Sequence, residues 1–293
     1  MNEYRKRQLL DEARYFEQHG MWLHAVQVYQ RLIEESPDVF EYRVRLGMVY
    51  LEMGNFTASE KVLLHALRHS PNDPDVLYAL GVMCYQSDEL DRALFYLQQL
   101  ARFRLPKVHY SLGLVHWRKG NPDHAERHFR IVLEKEPTDT DAAVALGEVC
   151  LLTGKPKQAM DVLAAAALRN PHDASLQFTL ATAAVAAQTW DAAIEAYNSV
   201  LRLQPENLTA SIALGGACLR ARRFDEAEQV FRSLLLKDTR CIGALMGMAR
   251  LCMLKANRSR AEEYLRQVLL IDPDHEEALE EIRYFTPYGK PQT

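Results

Sequence analysis

Several features that mark common functional classes are missing from this sequence. It has no surplus of basic residues: 35 Lys and Arg stand against 39 Asp and Glu, a formal net charge of −4. Nucleic-acid binders draw affinity from neutralised phosphates and usually carry a basic excess, so nucleic acid is not an expected partner. No run approaches the roughly 18 consecutive apolar residues of a membrane-spanning helix, and no membrane insertion is expected. The opening stretch, MNEYRKRQLLDEARYFEQ, is charged throughout and lacks the apolar segment of a secretory signal. The expected compartment is therefore the cytoplasm. Cysteine is scarce and scattered: Cys84, Cys150, Cys218, Cys241 and Cys252 form neither a CxxC pair nor a zinc-finger spacing. They read as reduced thiols.

Catalytic signatures are absent as well. There is no GxSxG, no HExxH and no paired-carboxylate arrangement, and Gly215-Gly216 lacks the rest of any phosphate-binding pattern. Neither an enzymatic activity nor a cofactor is expected. What is present is an ordinary folding composition, 48% apolar and 25% charged, which excludes wholesale disorder.

The informative feature is internal repetition, the sequence signature of stacked architectures. LGMVYLEMGNFTASEKVLLHALRHSP (46–71), LGEVCLLTGKPKQAMDVLAAAALRNP (146–171) and LGGACLRARRFDEAEQVFRSLLLKD (214–238) align without gaps over their shared length. At a period of 34 residues, repeats cover 6–39, 40–73, 74–105, 106–139, 140–173, 174–207, 208–241 and 242–275, the third being two residues short. Position 8 is always small: Ala13, Gly47, Gly81, Gly113, Gly147, Ala181, Gly215 and Ala249. Position 20 is Ala25, Ser59, Ala93, Ala125, Ala159, Ala193, Ala227 and Ala261. Position 32 is Pro37, Pro71, Pro137, Pro171, Pro205 and Pro273, with Thr239 once in its place.

Two antiparallel helices approach closely only where one side chain is Gly or Ala, so positions 8 and 20 should face each other. Larger residues at positions 7, 11, 24 and 27 then fill the space around them. Proline at 32 closes the second helix, because it cannot continue the hydrogen-bond ladder and restricts the residue before it. Turns such as Gly54-Asn55 end the first helix through positive φ, and Pro122 and Pro156 suit a helix start.

This pattern resembles the tetratricopeptide repeat, a helix–turn–helix unit of 34 residues. The resemblance implies an all-α fold, a right-handed superhelical solenoid of helical hairpins. Residues 1–5 are expected as an N-terminal extension, 276–286 as a C-terminal capping helix and 287–293 as a flexible tail. In the cap, Leu279 and Ile282 should point inward, and Glu277, Glu280 and Glu281 outward to solvent.

By the same resemblance, positions 2, 5, 9 and 12 line a concave groove. That assigns Tyr78, Val82, Tyr85, Tyr110, Leu114, Trp117, Val144, Leu151, Phe178 and Val185 as candidate partner-binding residues. These side chains are read either as ordinary packing or as an apolar groove for a peptide or helix of a partner protein; exposed apolar surface and Tyr or Trp favour the latter. The lysine–asparagine carboxylate clamp and the asparagine ladder known in other branches of the family are missing. The expected function is a non-catalytic scaffold or adaptor for a protein or peptide partner. A self-assembling structural protein, or a subunit of a larger secretion, pilus or envelope-biogenesis complex, is the alternative.

Three local expectations complete the reading. The deletion near Arg102–Pro106 should shorten a loop, with Arg102, Arg104 and Lys107 solvated. His124 and His128, at i and i+4, offer only two imidazoles, since His116 falls at packed position 11. They are expected as exposed histidines and His109 as a satisfied core histidine, so no metal site is assigned. Cys84, Cys150, Cys218 and Cys252 all fall at position 11 and should be buried as small hydrophobes.

Overall fold

The computed structural model describes residues 3–283, and among them there are helices and no strands. The chain forms two compact units, one ending at Pro137 and one beginning at Thr138. The first unit holds α1 (Glu3–Gln18), α2 (Trp22–Glu35), α3 (Phe40–Glu52), α4 (Phe56–His69), α5 (Pro74–Gln86) and α6 (Leu90–Gln98). A 3₁₀ turn (Ala101–Phe103), α7 (Pro106–Arg118) and α8 (Pro122–Lys135) complete it. The second unit holds α9 (Thr140–Leu152), α10 (Pro156–Arg169), α11 (Ala174–Ala186), α12 (Trp190–Leu203) and α13 (Leu208–Arg220). It continues with α14 (Phe224–Lys237), α15 (Ile242–Leu254), α16 (Arg258–Ile271) and α17 (Glu276–Arg283).

Each turn between the two helices of a hairpin is built alike. The residue at repeat position 15 is left-handed, and the amide of the next residue donates to the carbonyl five residues back, as Asn55 N does to Tyr50 O at 2.8 Å. This is the Schellman closure, which satisfies a carbonyl the helix leaves open. Gly20, Gly54, Gly120 and Gly154 adopt it freely, whereas Asp88 (φ 65°), Gln188 (58°), Arg222 (60°) and Ala256 (58°) carry a Cβ into the same conformation. First helices start on side-chain caps: Asp73, Asp139, Asp173 and Asn207 each accept from a backbone amide of the first turn at 2.8–3.1 Å. Such caps satisfy amides that have no partner within the helix.

Packing explains the small residues. Ser59 Oγ, at position 20, donates to the Gly47 carbonyl, at position 8, at 2.8 Å. The side chain at position 24 then lies over position 8: a Cβ on Gly47 would fall 2.6 Å from Leu63, and one on Gly113 would fall 2.5 Å from Phe129. In the first unit Tyr29, Leu63, Leu97 and Phe129 are fully buried; in the second, Leu163 and Phe231 take the same place. Within the first unit α3, α5 and α7 pack in succession; within the second, α9 packs on α11 and α13 on α15. The first helices of neighbouring hairpins thus form a wall in each unit. All five cysteines are buried, free thiols.

Several local expectations change. The two missing residues are taken out of a helix as well as a loop: α6 stops at Gln98 after nine residues, and the 3₁₀ turn with Arg104 left-handed makes the connection. The neighbouring cations are not merely solvated. Arg104 pairs with Glu134 at 3.3 Å, Lys107 with Asp75 at 3.7 Å, and Arg102 lies 4.8 Å over the Phe103 ring. Helix α1 already includes Glu3, so residues 3–5 belong to its first turn. Helix α17 runs to Arg283; residues 284–286 of the expected cap and the expected tail 287–293 lie outside the described residues. Leu279 and Ile282 are half-buried while Ala278 is fully buried. Glu277 and Glu280 are exposed as expected, whereas Glu281 is half-buried; Glu277 and Glu281 both pair with Arg250. From α15, the half-exposed Arg250 guanidinium draws Glu281 in.

Candidate functional site

All ten residues assigned from the sequence sit on first helices and are half-buried. Tyr78, Val82 and Tyr85 lie on α5, and Tyr110, Leu114 and Trp117 on α7, within the first unit. Val144 and Leu151 lie on α9, and Phe178 and Val185 on α11, within the second.

The first-unit wall is less bare than its sequence implies. Lys107 Nζ sits 4.7 Å over the Tyr78 ring and the Arg118 guanidinium 4.6 Å over Tyr85. Cations are drawn to the negative faces of aromatic rings. Ser111 Oγ also donates to Tyr78 OH at 3.5 Å, and Arg118 donates to the Tyr85 carbonyl at 3.0 Å while pairing with Asp88. Tyr110 packs against Phe129, with centroids 5.7 Å apart. The tyrosines thus serve partly as the bases on which the next helix is seated.

In the second unit, α11, α13, α15 and α17 line an open cavity of about 1240 Å³. Its apolar lining includes Val185, Ala213, Leu219 and Met253. Gly216 opens it further, since a Cβ there would meet nothing within 4 Å. Of the ten assigned residues only Val185 lines this cavity. The rim is charged: Arg250 is held by Glu277 and by Glu281 (3.3 Å), and Glu281 Oε2 is buried without a hydrogen bond. Arg220 and Arg222 are exposed and have no carboxylate partner among the described residues. A sequence signal for this site exists. Gly216 and Arg250 both occupy groove position 9, where the larger Val82 and Leu114 stand in earlier repeats.

The histidines depart from expectation. His124 is exposed, but His128 is half-buried, and its Nδ1 lies 2.9 Å from Nδ1 of His109; one nitrogen donates and the other accepts. His116 stacks on His128 (centroids 5.4 Å, planes 10° apart) and lies 4.9 Å from His124. His109 is buried, yet its Nε2 has no hydrogen bond, so it is only half satisfied. Burial keeps all three inner imidazoles below the ordinary histidine range, His128 down to about 4, with its histidine neighbours adding to the effect. Among the described residues no group of three His, Cys, Asp or Glu is placed to hold a metal ion.

Stacked antiparallel hairpins with walls of first helices define an all-α helical-repeat protein, a class that offers extended surfaces to other molecules. Tetratricopeptide-repeat models match residues 10–74, 44–107 and 178–240, residues 116–183, and residues 242–275. The chain belongs to the tetratricopeptide repeat family. It is 29% identical over 160 residues to the anaphase-promoting complex subunit CDC16 of Saccharomyces cerevisiae, covering 52% of this chain and 19% of that protein. A further match, over 61% of this chain, is the BBSome complex member BBS4 of Bos taurus, of which 35% is covered. The chain thus spans between about a fifth and a third of these relatives' length. Among solved structures it is similar to the C-terminal part of a repeat protein from Cytophaga hutchinsonii: TM-score 0.59, 14% identity, 92% of this chain and 98% of that one.

Proposed function

We propose that this chain is a non-catalytic protein–protein interaction scaffold whose second unit holds an extended segment of a partner protein. The observation that carries this reading is the cavity walled by α11, α13, α15 and α17. It combines an apolar lining with two exposed guanidiniums, Arg220 and Arg222, that have no carboxylate partner among the described residues. Such a surface takes an apolar side chain flanked by an acidic one. The helices that form it are already rigid, so little ordering entropy is lost on binding. The yeast relative is named as a subunit of a larger complex, which agrees with a scaffold role in general terms.

A second reading places the partner on the first-unit wall, at Tyr78, Tyr85, Tyr110 and Trp117. The half-exposed aromatic faces support it, and the cations over Tyr78 and Tyr85 oppose it. A peptide-display library screened against the full chain distinguishes the two. Enrichment of acidic–apolar sequences that is lost in Gly216→Trp and kept in Trp117→Glu supports the second-unit cavity. Enrichment lost only in Trp117→Glu moves the site to the first unit. No enrichment, together with concentration-dependent light scattering, refutes peptide binding in favour of self-assembly.

A further inference from the structure

The α7–α8 hairpin holds a feature that peptide binding does not use. Four histidines converge there from two helices: His109 and His116 on α7, His124 and His128 on α8. In a sequence with ten histidines, this places four in one hairpin. Their contacts are to one another. His109 and His128 share a single proton across 2.9 Å, and His116 lies flat against His128 and close to His124. We propose that this cluster makes the α7–α8 hairpin a proton-operated joint, closed while the imidazoles are neutral and loosened when acidification charges them.

The geometry accounts for the direction. An Nδ1–Nδ1 hydrogen bond requires one nitrogen without a proton, so a second charge on the pair turns an attraction into two N–H groups facing each other. His109 Nε2 and His116 Nδ1 are buried with no well-formed hydrogen bond, so a proton added there is poorly accommodated. Nor, among the described residues, does a carboxylate favour the charged form of His109, His116 or His128. Arg104, following the 3₁₀ turn, faces His109, and Lys119, at the end of α7, faces His116; both are cations and both raise the cost of charging the ring. Each already holds a carboxylate, Glu134 from α8 for Arg104 and Asp91 from α6 for Lys119. On α8, Glu126 pairs with Arg130. Asp75 of α5 pairs with Lys107, and Asp88, in the turn after α5, with Arg118. Only the Ala101 backbone favours a charge on His109, and burial outweighs it.

The sign follows from linkage. An unfolded histidine binds a proton near pH 6.5, while His128 in the folded hairpin stays neutral down to about 4. Between those limits the unfolded state binds more protons, so stability is full above about pH 7 and falls as the pH drops. At about pH 4.5 His128 alone should shift the opening equilibrium by between about tenfold and a hundredfold. Helix α7 of this hairpin carries Tyr110, Leu114 and Trp117, and Tyr110 rests on Phe129 of α8. Opening the joint would therefore disturb the first-unit wall.

Two measurements on the full chain test this. Hydrogen exchange at about pH 7.5 and 5, corrected for intrinsic rates, compares α7–α8 peptides with those of α13–α14, a hairpin without histidine. The expected result is a selective loss of protection in α7–α8 that the His128→Leu variant largely removes. Equal acid sensitivity of both hairpins, or of both proteins, would overturn the proposal. Because the variant could fail to fold, the histidine ring signals of the wild type are titrated by NMR. His128 should remain neutral at pH 5.5 in molecules whose α7–α8 amides are protected, with His109 and His116 titrating below the ordinary histidine range. Charging of these rings near pH 6.5 with the hairpin still protected would refute the joint.

Discussion

Gly215 and Gly216 are neighbours in α13, yet a methyl group added to one should have the opposite effect of a methyl added to the other. A Cβ on Gly215 would lie 2.5 Å from both Cε1 and Cζ of Phe231. Carbon atoms rest at about 3.5–4.0 Å, so the ring must retreat by about 1 Å. It has no room to do so, because a Cβ on Gly247, in α15, would come within 2.3 Å of Cζ, and the ring is 1% exposed. Overpacking of this kind costs about 1–3 kcal/mol. A Cβ on Gly216 meets nothing within 4 Å, and Ala is favoured over Gly inside a helix by about 0.8–1 kcal/mol. That propensity gain is common to both sites and cancels in their difference. Gly216→Ala should therefore stabilise the chain by somewhat under about 1 kcal/mol, and Gly215→Ala should fall about 1–3 kcal/mol below it. Urea unfolding monitored by circular dichroism gives the order of midpoints, and hydrogen exchange of α13–α14 peptides localises the effect. Equal midpoints for the two variants would refute the claim that Phe231 is held between two glycine backbones.

Other outcomes follow from the same contacts. Ala256→Gly relieves a left-handed Cβ (φ 58°); set against the greater backbone entropy of glycine, it should raise the urea midpoint by roughly 0.5–1 kcal/mol of stability, and an unchanged or lower midpoint would contradict the turn geometry. Asp173→Ala removes the acceptor that caps α11 through the Leu176 amide at 3.0 Å and should cost about 1 kcal/mol, visible as faster exchange of the first α11 amides. Arg220→Glu with Arg222→Glu should abolish capture of acidic–apolar peptides while circular dichroism stays unchanged, since both side chains are exposed; retained capture would remove the guanidiniums from the site.

How much of this was legible in the sequence depends on the range of the physics involved. Small residues at positions 8 and 20 and proline at 32 constrain the backbone within one hairpin, so their spacing alone exposes the repeat. The Schellman turn is equally local, yet four of its eight left-handed positions carry Asp88, Gln188, Arg222 and Ala256, so glycine spacing points to only half of them. The shortened third repeat showed up as a count, but its resolution into a nine-residue α6 and a 3₁₀ turn was decided by how Leu100, which is 2% exposed, reaches the core.

The candidate site was less legible because its parts come from different repeats. Position 12 correctly placed side chains on the first-helix wall, but whether a wall position is covered depends on its neighbour in the next repeat. Tyr78 and Tyr85 are seats for Lys107 and Arg118, whereas Gly216 leaves open space. Glu281 reads as a solvent-facing residue of a terminal helix, but Arg250 from the preceding hairpin holds it half-buried.

By itself, the sequence determined the repeating hairpin, its all-α class and its family, because those rest on steric rules that recur every 34 residues. Tertiary structure alone decided which of the repeated surfaces stays open, and which histidines meet. Those outcomes depend on pairings between side chains on different helices, where a single Gly, Arg or His changes the local volume and charge without disturbing the period.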